Sequence, residues 1–235
     1  MSKVFVIPDV HLKPWMFEKA TELIEKNKFD RIVMLGDLVD DWDQGHNLDL
    51  YNETFDAIMK FIEKYPDTLY CLGNHDVSYL WKAFESGYSA YARDTVVAGI
   101  NKIMYDLQKE NVAFIHRIDD VLFSHAGLSE KFVMKHFGHG EKPDLDYLIE
   151  KVNKMGKYEI WNDDSPIWVR PQYGDIRMYP ASMFQVVGHT PVTEPLKIGK
   201  ILTLDNFSTY SDGRPIGNER FVSIDTEELD WEYVD

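Results

Sequence analysis

Cysteine is almost missing: Cys71 is the one thiol in 235 residues, so no disulfide can form within the chain. Its place inside the apolar run 69–72 predicts a buried structural thiol rather than a nucleophile. Basic residues are also scarce, with 25 Lys and Arg against 40 Asp and Glu and a formal net charge of −15. That balance argues against a surface for long nucleic acids or an anionic membrane, since both need a positive field. An anionic substrate fits only where local cations, such as metal ions, override the global field. No apolar run approaches the length that spans a bilayer. The N-terminus opens directly on a strand pattern, without the charged head and cleavage site of a signal peptide. The expectation is a cytoplasmic protein. Internal repeats, low-complexity segments and clear linkers are missing as well.

What is present suffices for a full core, at 44% hydrophobic and 14% aromatic residues. Short apolar runs at 4–7, 32–35 and 69–72 read as strands. Two amphipathic helical patterns separate them: Phe17, Ala20, Leu23 and Ile24, then Leu48, Tyr51, Phe55, Ile58, Met59 and Ile62. Strand–helix alternation implies parallel strands with right-handed crossovers and ligands gathered at the carboxyl ends. Farther on, Val96, Ile100, Ile103, Met104 and Leu107 predict a helix, and the aromatic segment before it (Tyr79, Trp81, Phe84, Tyr88, Tyr91) is expected to pack an insertion. Residues 112–115 and 121–123 read as paired strands around Asp119-Asp120. Segments 132–137 and 145–152 read as amphipathic, and Pro166, Pro171 and Pro180 mark a long connection. Short β elements follow at 196–198, 201–204, 221–224 and 231–234. The whole of 1–235 is expected to be one domain, with helical and loop insertions at about 78–120 and 129–180.

Five of the apolar runs end in polar atoms of one kind. They are Asp9-Val10-His11, Gly36-Asp37-Leu38-Val39-Asp40, Gly73-Asn74-His75-Asp76, Ser124-His125-Ala126-Gly127 and Gly188-His189-Thr190. Carboxylates next to apolar strands need a compensating charge, and a metal ion is the strongest available. Asp9 and His11 can point at one ion. Asn74, His125 and His189 offer neutral ligands for a second, and Asp37 has two oxygens with which to bridge both. Carboxylate with imidazole suits manganese, iron or zinc rather than calcium. Such a pair acidifies water at neutral pH. His75, adjacent to a ligand, is a natural acid. His46, His116, His136 and His139 are assigned no role.

These motifs resemble those of the calcineurin-like metallophosphoesterases, and within them the phosphoprotein phosphatases and their bacterial and phage relatives. The pattern shared is Asp-x-His, Gly-Asp-x-x-Asp, Gly-Asn-His-Asp, a lone His before Ala-Gly, and Gly-His-Thr, spanning residues 9–190. The resemblance implies an α/β fold with a two-sheet β-sandwich core flanked by helices. It implies Asp9, His11 and Asp37 on one divalent ion, with Asp37, Asn74, His125 and His189 on the other. Manganese is the expected metal. His75 would be the general acid, held by Asp40. Trp168-Val169-Arg170 resembles the family's Trp-x-Arg element, which gives Arg170 the phosphate grip.

Two positions depart from the pattern. Asp41 stands where the family's protein phosphatases carry a second phosphate-gripping Arg, and Leu12 replaces a common Gly. Arg93 and Arg177 are candidates to supply the missing cation. The expected activity is phosphomonoester hydrolysis, with serine/threonine phosphoprotein as one substrate class. Hydrolysis of a dinucleoside polyphosphate or a nucleotide phosphodiester is the alternative, and a non-catalytic scaffold is a third. Expected substrates are thus a phosphorylated small molecule, a nucleotide or a phosphoprotein.

Overall fold

Both faces of the first strands are apolar, and the computed structural model shows why; it describes residues 1–140 and 144–235. The expected 129–180 insertion includes residues 141–143, which lie outside the described ones. In chain order the elements begin with β1 (Lys3–Ile7), α1 (Trp15–Lys26), β2 (Arg31–Met34), α2 (Leu48–Lys64), β3 (Leu69–Cys71), α3 (Asn74–Trp81), α4 (Arg93–Asp106) and β4 (Val112–Ala113). They continue with β5 (Ile115–Ile118), β6 (Val121–Ser124), α5 (Glu130–Phe137), α6 (Leu145–Val152), α7 (Lys157–Ile160), β7 (Phe184–Val187), β8 (Leu196–Ile198), β9 (Ile201–Thr203), β10 (Val222–Asp225) and β11 (Asp230–Tyr233). One sheet has the order β11-β10-β1-β2-β3-β4, the other β5-β6-β7-β9-β8. Residues pointing one way from the first sheet (Val4, Val6, Val33, Cys71) pack on Phe123, Val186 and Leu202 of the second. Their alternates (Phe5, Ile7, Met34, Tyr70) pack under the helices. This is the expected α/β sandwich flanked by helices. Strand periodicity of 2 places one apolar set against each layer, which is why the runs read as continuously apolar.

The helices obey the same economy. On α1, Met16, Phe17, Ala20 and Leu23 form the buried stripe. On α2 it is Tyr51, Phe55, Ile58 and Ile62, and Asn47 caps the start by accepting the Leu50 N–H at 3.3 Å. No helix of the described residues is long and apolar enough to cross a membrane.

Two expectations need correction. The run 112–115 is not one strand: β4 joins the first sheet beside β3, while β5 pairs with β6 in the second. The backbone crosses between sheets at Phe114, where the N–H groups of Phe114 and Ile115 donate to Asn153 Oδ1 at 3.1 and 2.9 Å. The aromatic segment also begins as helix, since α3 starts at Asn74 itself. Within it Tyr79 is buried and stacks on Tyr88, ring centroids 4.4 Å apart, whereas Phe84 is exposed.

Cys71 is fully buried, and burial pushes its thiol well up, which leaves it structural. His116 is buried too, its Nε2–H donating to the Tyr70 carbonyl at 3.1 Å. Burial holds its pKa down at about 4, against a small pull from its hydrogen bonds. A folded-state pKa below the unfolded one means the neutral ring's stability is intact above about 6.5 and lost as pH falls towards 4. The loss should reach roughly 3 kcal/mol below pH 4. His116→Gln, which keeps an N–H donor without titrating, should therefore shift the acid-unfolding midpoint downward. Denaturation curves between pH 7 and 4 check this.

Candidate metal centre

The carboxyl ends of β1, β2 and β3 lie side by side, because these strands are parallel. So do those of β6, β7 and β9 in the other sheet. Each strand delivers one or two polar side chains just past its end. Asp9 and His11 follow β1, Asp37 and Asp40 follow β2, Asn74 and His75 follow β3, His125 follows β6 and His189 follows β7. Five of the surrounding backbones sit in the left-handed region: His11 (φ 44°), Leu12 (58°), Asp37 (47°), Asp40 (67°) and His189 (62°). Non-glycine residues hold that conformation at a cost, and it recurs where geometry serves a site. At Gly188 the backbone passes so close to Asp9 Oδ1 that any Cβ would collide with it.

Two clusters result. Ligand atoms of Asp37, His125 and His189 lie within 4.8 Å of one another, as do those of Asp9, His11 and Asp205. Asp37 stands between them: its Oδ2 is 3.2 Å from His125 Nε2 and 3.9 Å from His11 Nε2. Asn74 Oδ1 reaches His125 Nε2 at 2.9 Å. Asp205 was not among the expected residues. It follows β9 by two residues, just as His189 follows β7, and the run 201–204 before it carried the same signal.

Each of the three clustered imidazoles has one nitrogen tied to a backbone carbonyl: His11 Nδ1 to Asp40 O (2.8 Å), His125 Nδ1 to Leu35 O (2.8 Å) and His189 Nε2 to Trp168 O (3.1 Å). A carbonyl only accepts, so these nitrogens carry protons, which leaves the opposite ones as the atoms that could ligate an ion. His125 Nε2 and His189 Nδ1 face each other at 3.1 Å. Asp9 Oδ1 and Asp205 Oδ1 are buried without a hydrogen-bond partner. Crowded ligand atoms and orphaned carboxylate oxygens are relieved by cations, so the donor set fits divalent metal.

The electrostatics point the same way. Burial raises Asp9, and Asp205 adds to it. Burial also opposes charge on Asp37, yet His125 and His75 hold it well below the usual carboxylate range. Burial and the nearby His125 and Arg170 hold His189 neutral. His75 differs from the others. Its Nδ1 bonds Asp40 Oδ2 at 2.9 Å, which leaves Nε2 for a substrate. Burial disfavours its charge, but Asp37, the Asp40 hydrogen bond and Glu85 outweigh it and raise the ring to about 10. Asp40 is itself held, its Oδ1 accepting from Tyr51 (3.1 Å) and from Tyr79. Asp76 braces the loop, accepting the N–H groups of Asp37, Leu38 and Gly73 at 2.8–2.9 Å.

The cavity over the centre has a volume of about 400 Å³. Among the described residues lining it, Arg170 is the one Lys or Arg, against Asp37, Asp40, Asp41, Asp43, Glu85 and Asp205. Arg170 Nη1 donates to His189 O and Thr190 Oγ1, both at 3.1 Å. Neither Arg93 nor Arg177 lines the cavity. Arg93 pairs with Asp94 at 2.8 Å, and Arg177 is 85% exposed near Glu130. Asp41 has a buried partner instead: Lys13 Nζ lies 3.5 Å from its Oδ2, while Thr209 Oγ1 donates to its Oδ1 at 2.7 Å. None of the five aromatics from Tyr79 to Tyr91 lines the cavity; Trp42, Trp168 and Ile216 do.

Carboxylates and singly tethered imidazoles at the strand ends of a two-sheet sandwich make a candidate site for divalent metal, the site of a metal-dependent phosphate-ester hydrolase once the family is known. A family model for calcineurin-like phosphoesterases matches residues 2–220, so the chain belongs to that family. Comparison with curated protein sequences finds no match. Comparison with solved structures finds similar chains. One is a protein serine/threonine phosphatase from Saccharomyces cerevisiae with similarity to human phosphatase PP5 (16% identity, 94% of this chain and 72% of that one, TM-score 0.51). Others are a metallophosphoesterase from Sphaerobacter thermophilus (14%, 99% and 88%, 0.45) and an archaeal phosphodiesterase (12%, 99% and 98%, 0.40).

Proposed function

We propose that this chain hydrolyses phosphomonoesters at two divalent ions, manganese being the expected metal. The observation that carries the reading is the cavity's charge: six carboxylates line it against Arg170, and Lys13 on Asp41 and a proton on His75 still leave the balance negative. A dianionic phosphate would be repelled there unless cations filled the ligand clusters. Asp9, His11 and Asp205 would hold one ion, Asn74, His125 and His189 the other, and Asp37 both. Asp205 is added here to the ligand set expected from the sequence. When bound, the ions would supply Lewis acidity, lowering the pKa of water and offsetting phosphate charge. The chain's own residues do the rest. Arg170 donates to non-bridging phosphate oxygens from its fixed seat on His189 and Thr190. His75 delivers a proton from Nε2 to the leaving oxygen, with Asp40 accepting at Nδ1 and the two tyrosines steadying Asp40. Residues 1–235 act as one unit, the segments at 78–120 and 129–180 contributing Glu85 and Arg170 to its mouth. A cytoplasmic location belongs to the same reading and is supported by the lone buried Cys71, which can form no internal disulfide.

A second reading has a specific observation behind it. Trp42 is 58% exposed at the cavity mouth, its Nε1–H bonded to the Thr209 carbonyl at 2.9 Å. That indole offers a flat wall to an aromatic leaving group, as in a nucleotide phosphodiester or a dinucleoside polyphosphate. The deciding experiment adds manganese back to metal-stripped protein. It compares an aryl phosphate, an aryl phosphodiester, a phosphopeptide and a dinucleoside polyphosphate. Fastest turnover of the monoesters is expected; faster turnover of either two-sided substrate would favour the second reading. On the preferred substrate, Arg170→Ala should lower kcat/KM about 10–100-fold with both ions retained, the range of a lost charge-assisted hydrogen bond. Unchanged kinetics across the panel would remove Arg170 from the site.

A further inference from the structure

An asparagine that ligates metal has a problem its carboxylate and imidazole partners lack. Its amide has two ends of nearly equal shape, and only the oxygen can bind a cation. Turned over, Asn74 would present an N–H donor to the ion. Something must decide which end faces the centre.

The other end of this amide is engaged. Asn74 Nδ2 donates to Glu85 Oε2 at 2.6 Å, while Oδ1 faces His125 Nε2 at 2.9 Å. Glu85 comes from the segment between α3 and α4, and its side chain is only 6% exposed. The backbone delivers it there deliberately. Lys82 (φ 50°) turns the chain out of α3, and Gly87 (φ 90°) turns it back over the site. A Cβ at Gly87 would press Asp40 and His75, at 3.2 and 3.3 Å. Beyond it, the Ser89 N–H donates to Tyr79 Oη at 2.8 Å, and Ser89 Oγ is held by the Gly45 carbonyl. Before the acid the Ala83 N–H donates to the Ser78 carbonyl at 2.9 Å, so the segment is fastened on both sides of it. Glu85 Oε1 has no hydrogen-bond partner and lies 3.7 Å from His75 Nδ1, which already serves Asp40. Among the described residues, the Asn74 amide is the one hydrogen-bond partner of the Glu85 side chain, which meets His75 only as a longer ion pair.

We infer that Glu85 is a positioning residue that locks the Asn74 side chain with its oxygen toward the metal cluster. Burying a carboxylate beside Asp37 and Asp40 is unfavourable in itself. Its placement is explained by the amide it orients, as groups one shell beyond a metal set the geometry and affinity of the ligands. The inference rests on the two-ion reading above.

The test measures manganese binding to metal-stripped full-length protein by calorimetry. The wild type is compared with Glu85→Met, which keeps bulk but cannot accept, and Glu85→Gln, which keeps an acceptor oxygen without charge. Glu85→Met should weaken one of two ions by about 10–100-fold, the range for such outer groups. Glu85→Gln should stay within about threefold of wild type by the same reasoning, since an amide oxygen still accepts from Nδ2. In an Asn74→Asp background, whose side chain has no wrong end, adding Glu85→Met should cost no further affinity. Wild-type affinity in Glu85→Met would overturn the role, as would equal losses in the Met and Gln variants, which would point to charge alone. If Glu85→Met fails to fold, Glu85→Ala carries the same expectation. Failure of both to fold overturns the inference too, because holding one amide is not a folding requirement. A wild type that binds fewer than two ions overturns the two-ion reading instead.

Discussion

His75→Asn should slow hydrolysis of an alkyl phosphate or a phosphoserine peptide by about 10²–10⁴-fold, the span of a lost general acid. A nitrophenyl ester should suffer far less, because its leaving group departs without a proton. The substitution is conservative where it needs to be. The backbone N–H at position 75 donates to Asp37 Oδ1 at 2.9 Å and survives any side-chain change. What disappears is the ring between Asp40 and the cavity. Burial works against its charge, and Asp37, the Asp40 hydrogen bond and Glu85 overcome it, raising the pKa to about 10. The Asp40 carboxylate on Nδ1 favours the protonated ring, the state a proton donor needs. If His75 merely braced the Asn74 loop, both substrates would slow by one factor and metal would be lost with it. Comparing the two rate ratios, with metal content measured in parallel, separates the cases. Equal losses would take His75 out of the chemistry.

How much of this was legible in the sequence depends on where each signal resided. Asp9, His11, Asp37, Asn74, His125 and His189 follow short apolar runs directly. Strand, turn and ligand are local events there, and parallel topology then does the gathering. Asp205 had the same local signature after residues 201–204, but its run reads equally well as a strand in a terminal β region. Glu85 had no such signature. It lies in an aromatic segment without periodicity and reaches the site only through the turns at Lys82 and Gly87. The pairing of Lys13 with Asp41 was hidden for a related reason: the two are 28 positions apart, counting from the sequence, and meet only in the fold. Seen together they change the meaning of Asp41. The departure from the family pattern replaces a free cation with an internally neutralised pair rather than with a bare acid. The split of residues 112–115 between two sheets was equally invisible, since the run is apolar throughout and β periodicity does not say which sheet a strand joins.

Asp37→Asn should have the widest consequences of any single change. Asp37 is almost wholly buried, and its Oδ2 faces both His125 and His11, at 3.2 and 3.9 Å. Among the described residues, Asp37 is the one carboxylate within 4.0 Å of imidazoles in both clusters. Asparagine tolerates the left-handed backbone at this position, φ 47°, so the loop should keep its shape. The loss is of charge and of one acceptor. Affinity should fall for both ions, by more than the roughly 10–100-fold typical of groups outside the ligand shell. His11→Ala, confined to one cluster, should weaken mainly one ion. Activity on every ester should fall with the metal, unlike the substrate-selective loss in His75→Asn.

Metal stoichiometry across these proteins tests the central claim most directly. Wild type, His11→Ala and Asp37→Asn would be stripped, reloaded with manganese at one fixed concentration, desalted and analysed for bound ion. Two ions per chain are expected in the wild type, about one in His11→Ala, and close to none in Asp37→Asn. Two ions retained at full occupancy in Asp37→Asn would contradict it.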